Sequence, residues 1–440
     1  MFDTIVNVFK IPELRKKIGF TVLLVFIYRI GGHIPTPGID PKILAEFYVQ
    51  SQNNLLGMFD MFVGGAFKKA TIFALGIMPY ISASIIIQLF GTVFPYFNKL
   101  QREGAEGRKK LTQLTRYGTV LLAFVQAAGV SVFLQSITSP STGVHAVIPS
   151  MIGVKFTIVT IISLVTGTVF IMWLGEQITN RGIGNGISLI IFIGIVASLP
   201  DAVIAEFQQV QAGTRHPFVE AIVLVIILAM TAFIVLMYQA TRRIPIQTPK
   251  KVVGTKMYAG QNTVLPLRIN MAGVIPIIFA SSLMMMPNMI AGFFPNSRIM
   301  DELGNFFKPG NAIYSISFGL VIIFFTYFYT AIIFNPIDIA DNLKRSGGFI
   351  PGIRPGKKTA EFLDNVLSRI TLPGSIFLAF IAIVPFLLIG ALNISFFFGG
   401  TSVLIVVGVA LDTLQQLESQ LQMRNYNGFM KRGSLRGRRY

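Results

Sequence analysis

Apolar residues in this chain do not alternate with polar ones at the short periods of a soluble fold; they gather into long blocks separated by shorter polar stretches. Blocks of roughly 17–25 apolar residues have the length a helix needs to cross a hydrocarbon layer, where only helices and closed barrels satisfy every backbone group. The pattern predicts about ten spans, near residues 18–35, 71–94, 116–136, 154–174, 184–203, 217–239, 268–291, 312–334, 372–391 and 400–421. The first is interrupted by Arg29, a side chain that can reach the headgroups from near a helix end. A polar stretch at 201–216, with Asp201, Glu206, Gln208, Gln209, Gln211, Arg215 and His216, divides the spans five and five. If the halves are related units, an odd number of spans in each puts them in opposite orientations, as in many transport proteins, although no residue-level repeat is visible.

Composition removes the soluble alternative. Of the 440 residues 53% are hydrophobic and only 13% charged, with a mean hydropathy of +0.66, whereas a soluble chain carries roughly a quarter charged residues. The charge that remains is lopsided: 37 Lys+Arg against 19 Asp+Glu leave a formal net charge of +18. Sorted onto alternate faces of ten spans, about 29 basic residues fall on the face holding both termini and about 7 on the other, which predicts cytoplasmic termini. They concentrate at 99–116 (Lys99, Arg102, Arg108, Lys109, Lys110, Arg116), at 241–268 (Arg242, Arg243, Lys250, Lys251, Lys256, Arg268), at 335–371 and in the tail KRGSLRGRRY. The 241–268 and 335–371 loops are longer than topology requires, so they are expected to protrude and to meet a large cytosolic partner. The start, MFDTIVNVFKIPELRKK, lacks the apolar core and small-residue cleavage site of a signal peptide, so the first span is expected to be retained.

Chemistry-bearing motifs are scarce. There is no cysteine, and the three histidines (His33, His145, His216) and the acids are too scattered for a metal site or an acid–base pair. No G-x-x-x-x-G-K-[ST] is present, and Gly182-Ile183-Gly184-Asn185-Gly186 reads as a tight turn opening the fifth span rather than a nucleotide loop. No catalytic residue, metal or cofactor is therefore expected. The spans themselves lack mid-membrane ionisable groups, since Arg29 and Glu176 lie near ends and Asp412 and Glu418 toward the cytoplasmic end of the last. That weakens an ion-coupled transporter. The interior offers instead Gly76, Pro79, Ser82, Ser84 and Gln88 in the second span, Gln126 in the third, and Asn270, Gly273 and Pro276 in the seventh, residues that serve helix packing, kinks and helix–helix hydrogen bonds. Between the first two spans, NNLLGMFDMFVGGAFKKA (53–70) is too apolar for water (Leu55, Leu56, Met58, Phe59, Met61, Phe62, Val63), yet Asp60, Lys68 and Lys69 resist lipid. It reads either as a re-entrant segment held inside the protein, able to bend at Gly64 and Gly65, or as an interfacial helix.

Five strings carry a family resemblance: FALGIMPYISASIIIQLF (73–90), LVTGTVFIMWLGEQITNRGIGNGISLIIFIGIVA (164–197), INMAGVIPIIFASS (269–282), NPIDIADNLKRSGGFIPGIRPGKKTAEFLD (335–364) and FGGTSVLIVV (398–407). In content and order they resemble the SecY family of protein-conducting channels, nearly end to end. The resemblance implies an all-α membrane protein with two inverted five-helix halves, 1–205 and 206–423, followed by a basic tail at 424–440. The halves would close like a clam on an hourglass pore.

By the same resemblance the pore is ringed by Ile77, Ile81, Ile187, Ile191, Ile278 and Ile405. It is closed by a plug containing Met58, Phe59, Asp60, Met61, Phe62, Gly64 and Gly65. A lateral gate opens between the second and third spans of one half and the seventh and eighth of the other, where Gln88, Gln126 and Asn270 are expected to hold the closed seam by amide hydrogen bonds. Arg242, Arg243, Lys250, Lys251 and Arg354 are implied to dock the ribosome, through its RNA, and the SecA motor ATPase, since an arginine fork pairs with phosphate and with carboxylate. Other implied partners are the membrane subunits SecE and SecG, signal sequences and nascent polypeptides, and anionic phospholipid. The competing expectation from the two-half architecture alone is a secondary small-solute transporter.

Overall fold

The computed structural model describes residues 11–40, 43–44, 46–47, 60, 63–138, 144–213, 216–248, 251–253, 256–258, 262–292, 311–392 and 400–432. Its helices are α1 (Pro12–Gly31), α2 (Met78–Val93), α3 (Pro95–Arg102), α4 (Ala105–Ser136), α5 (Val154–Arg181), α6 (Gly186–Gln211), α7 (Pro217–Gln239), α8 (Ile275–Gly292), α9 (Ala312–Ile333), α10 (Pro336–Arg345), α11 (Lys357–Leu392) and α12 (Gly400–Arg432). Each expected span has a helix at its place. Among the described residues seven helices are long and apolar enough to cross a membrane, and α2 with α3, bent by 104° at Phe94–Pro95, is an eighth if the pair is one broken span rather than a re-entrant loop. Pro95 has no N–H to continue the ladder and disfavours helical backbone at Phe94, so the chain turns there. Phe90, Phe94 and Phe97 then pack ring to ring across the bend, with centroids 5.2 and 5.6 Å apart for the Phe90 pairs.

Several boundaries differ from those the apolar pattern predicts. The second span does not start at 71, because residues 71–77 form turns tied to the chain before them: Ile72 N–H donates to Ile34 C=O and Thr36 N–H to Ala70 C=O. The seventh starts at Ile275 rather than 268, because the Asn270 side chain bonds both the N–H and the C=O of Gly273 and closes a turn ahead of the helix. The basic stretch 99–116 is not a loop. It is the end of α3 and the first turns of α4, whose 32 residues extend about 48 Å, well beyond a bilayer core of about 30 Å. α11 and α12, of 36 and 33 residues, are over-long in the same way.

Backbone proximity divides the chain into two units. The first runs to Ala205 and resumes at Met285 and at Val409; the second begins at Glu206, pauses after Met284 and ends at Gly408. In the first unit α4 and α5 are fastened at both ends. At one end Ser131, Gln135 and Thr157 share hydrogen bonds, and the Gln135 carbonyl accepts the Gly153 N–H beside the start of α5. At the other, the Arg116 guanidinium grips the Glu176 carboxylate through two nearly parallel bonds of 2.9 and 2.6 Å, the strong fork geometry of such pairs. The 182–186 turn is as tight as its glycines predict: Asn185 caps α6 by accepting from Ile187 and Ser188 N–H, and a side chain at Gly186 would collide with the Gly175 carbonyl. The middle of α12 docks here, with Gln416 accepting the Gly184 N–H and Leu421 packing on Leu14 of α1.

In the second unit the 241–268 loop is a β-hairpin. Strand β1 (Thr241–Gln247) pairs antiparallel with β4 (Asn262–Arg268), Thr241 opposite Arg268, and a smaller ribbon of β2 (Lys251–Val253) and β3 (Lys256–Tyr258) lies further along. A two-stranded ribbon is marginal in water by itself. This one is secured by alternation: Ile244 and Ile246 share the buried face while Arg243, Pro245 and Gln247 face out, and Arg242 is exposed near the strand's start. Ile244 and Leu267 join Phe334, Ile350, Leu363, Val366, Leu367 and Ile370 in one apolar cluster, and Gln247 and Phe349 exchange both backbone hydrogen bonds. The hairpin and the 335–371 segment are thus a single module. Leu363, wholly buried at its centre, is the residue to test: Leu363→Ala is expected to cost about 2–5 kcal/mol locally, read as faster protease cleavage within 241–268 while the spans stay inserted.

Candidate functional site

The segment between the first two spans forms a compact knot over its described part. The Asp60 carboxylate accepts the N–H groups of Phe67 (2.9 Å) and Lys68 (2.8 Å), while the Asp60 C=O accepts from Gly65. Thr71 closes the other end by donating both its N–H and its hydroxyl to the Ala66 C=O. Asp60, Val63, Ala66, Phe67 and Ala70 are buried. Burial pushes the Asp60 carboxyl above the usual carboxylate range, outweighing the two N–H bonds and the nearby Lys68 charge. Asp60 and Val63 are helical and residues 64–70 are turns, with Lys69 exposed. Gly64 shows why no side chain is tolerated there: its φ is +71°, and a Cβ would lie 2.8 Å from the Gly194 Cα of α6. Met58, Phe59, Met61 and Phe62 lie outside the described residues.

Two donors from α1 reach this knot, and the apolar pattern did not reveal them. Tyr28 OH donates to the Val63 C=O and Arg29 Nη1 to the Gly64 C=O, each at 3.3 Å. Arg29 is therefore more than a charge escaping to the headgroups. The only signal of this in the chain was a tyrosine and an arginine set beside one another in an otherwise apolar span.

The six isoleucines all fall at helix beginnings. Ile77 is the N-cap of α2 and Ile81 lies one turn on; Ile187 and Ile191 occupy the first turns of α6, Ile278 the first of α8 and Ile405 the second of α12. Four belong to the first unit and two to the second. Ile77, Ile81, Ile191, Ile278 and Ile405 are buried, whereas Ile187 is half-buried beside Gly175 of α5.

The three amides differ. Gln88 donates to Ser84 one turn back in its own helix (3.0 Å), and Asn270 spends its amide on the Gly273 turn. Both bonds are local. Gln126, 9% exposed on α4, has a buried carbonyl oxygen without a hydrogen-bond partner among the described residues. On the β-hairpin module Arg242, Arg243 and Arg354 are exposed, as are Arg268, Lys344, Arg345, Lys357 and Arg369. The Arg354 turn is held by Thr359, whose hydroxyl donates to the Arg354 C=O. Lys251 begins β2, and Lys250 lies outside the described residues.

Long apolar helices, few interior charges and basic appendages beyond the spans define a predominantly helical membrane protein of many spans. Comparison with known proteins makes this specific. The SecY family model matches residues 71–414. The protein translocase subunit SecY of Escherichia coli strain K12 is 44% identical over 428 residues, covering 97% of this chain and 96% of the relative. Among solved structures, one described as showing that the plug domain of SecY stabilises the closed state of the translocation channel aligns with a TM-score of 0.62 at 19% identity, covering 92% of each chain. An idle yeast Ssh1 complex on the yeast 80S ribosome aligns with a TM-score of 0.63 at 16% identity, covering 92% of this chain and 89% of that one. The chain belongs to the SecY family.

The buried Gln126 oxygen generates a prediction. Because replacing an unpartnered buried polar group by an apolar one of similar shape is neutral or stabilising, Gln126→Leu is expected to leave thermal unfolding of the purified protein unchanged or shifted upward. A loss of about 2 kcal/mol or more would mean that the amide has a partner in the native membrane.

Proposed function

We propose that this chain is the channel subunit of a protein translocase, passing unfolded polypeptide across the cytoplasmic membrane and releasing apolar segments sideways into lipid. The observation that carries this is kinship over nearly the whole chain, 44% identity across 97% of it, with a protein translocase subunit. The small-solute transporter is set aside by the same kinship, and the scarcity of ionisable groups in the spans also disfavours it.

In this reading the inverted halves enclose the pore, and Ile77, Ile81, Ile187, Ile191, Ile278 and Ile405 form an apolar collar around the moving chain. Such a collar seals around a polypeptide of any sequence, because dispersion and exclusion of water demand no particular partner, and when empty it resists ions by dewetting. The 53–70 segment is the plug. The burial of Asp60, Val63, Ala66, Phe67 and Ala70 supports that role, and a relative's plug domain is described as stabilising the closed state. Gln88, Gln126 and Asn270 stand on the helices of the lateral gate, where a hydrophobic signal sequence displaces whatever closes the seam. Both termini are cytoplasmic, as the one-sided distribution of basic residues argues. No bond is made or broken in the channel, so the driving force belongs to partners.

The β-hairpin module is the docking platform for the ribosome and for the SecA motor. Its exposed arginines on a rigid apolar base suit RNA phosphate and acidic protein surfaces alike, and a ribosome-bound complex shares the fold. SecE and SecG complete the membrane complex, signal sequences and nascent chains are its cargo, and anionic phospholipid meets the basic helix ends.

Two experiments test the reading. The native chain has no cysteine, so an Ile405→Cys variant carries a unique thiol, which is expected to crosslink to a preprotein stalled in transit; absence of crosslinking, with translocation intact, would remove Ile405 from the path. Arg354→Glu is expected to impair SecA-driven import into vesicles while the protein remains folded and inserted. Normal import by that variant would sink the docking assignment.

A further inference from the structure

Tyr28 and Arg29 are consecutive residues in the last turn of α1, and they engage consecutive carbonyls, those of Val63 and Gly64. The chain then turns through positive φ at Gly64 and Gly65, which carries it away from the helical partners those carbonyls would otherwise find. A buried carbonyl without a donor is costly. Here the donors come from another element, so the geometry of the turn depends on α1. Other contacts leave the dipeptide little room: Gly64 abuts Gly194 of α6, and the Val63 side chain packs on Gly76. The Arg29 charge is well placed for the task, because it stands in the last turn of a helix, where the dipole favours a cation.

We propose that Tyr28 and Arg29 are positioning residues that latch the Val63–Gly64 turn, and with it the plug, in the resting channel; this rests on the plug reading above. Both donors can be exchanged for water. In a dry, closed channel, losing them strands the buried Val63 carbonyl and loosens the hold on the half-buried Gly64 carbonyl, whereas in a channel wetted by an entering polypeptide water takes their place. The latch is strong only while the pore is empty.

The test uses the full chain assembled with its membrane companions, carrying a single cysteine either at position 63 (Val63→Cys) or at Leu378, buried in α11 of the other unit. Resting ion leak in planar bilayers and the rate of labelling by a membrane-impermeant thiol reagent are measured without preprotein. Arg29→Gln and Tyr28→Phe are each expected to raise leak and labelling at position 63 several-fold, with Arg29→Lys between them and the native chain, and with labelling at position 378 unchanged. Equal increases at both cysteines would signal general loosening and overturn the latch. If neither leak nor labelling responds, while deleting residues 60–67 opens the leak, the latch is overturned and the plug stands. If even the deletion leaves the membrane sealed, the plug reading fails and the latch falls with it.

Discussion

A backbone carbonyl or N–H withdrawn from water must find a partner, and this protein is arranged around that requirement. Where the chain crosses the apolar layer it meets the demand as helix, residue by residue. Where it cannot be helical but is still enclosed, other groups step in. Asp60 receives two N–H groups of the knot, Thr71 doubles up on one carbonyl, and Tyr28 and Arg29 supply the Val63 and Gly64 carbonyls from a neighbouring helix. Asn270 does the same for the turn ahead of α8. The β-ribbons occur where water is available to their open edges, in the basic loop between α7 and α8.

The over-long helices connect the apolar, span-length part of the chain with what lies beyond it. α4, α11 and α12 each exceed the thickness of a bilayer core by several turns, so part of each helix stands in a different solvent from the rest. α11 presents Leu363, Val366, Leu367 and Ile370 to the hairpin cluster before its more apolar stretch begins. The hairpin module is therefore continuous with a spanning helix rather than hung on a flexible tether, and a load placed on it is transmitted through packed side chains. On the first unit, the Arg116–Glu176 pair fastens α4 to α5 at the basic end of these helices.

Much of this was legible in the order of residues. Each span was visible because a helix in lipid must be apolar around most of its circumference and about 20 residues long, and the 182–186 turn was visible because glycine and asparagine in that order leave few other conformations. Strands β1 and β4 were missed, although Ile244 and Ile246 alternate with polar neighbours over Thr241–Gln247, because a basic loop between two spans invites a topological explanation. The start of α2 was placed seven residues early, since residues 71–77 are as apolar as a span, and hydropathy does not distinguish a buried turn from a helix.

By itself the sequence determined the class of protein, the places of its long apolar helices, the sign of its net charge and the absence of cysteine. These follow from composition summed over windows and are insensitive to which residue touches which. Only the tertiary structure decided that Arg29 bonds a carbonyl rather than a headgroup, that Gln88 and Asn270 spend their amides locally, and that two separate basic loops share one apolar core. Those outcomes depend on contacts between residues far apart in the chain. A hydrogen bond requires placement to a fraction of an ångström, which no local pattern of apolar and polar positions encodes.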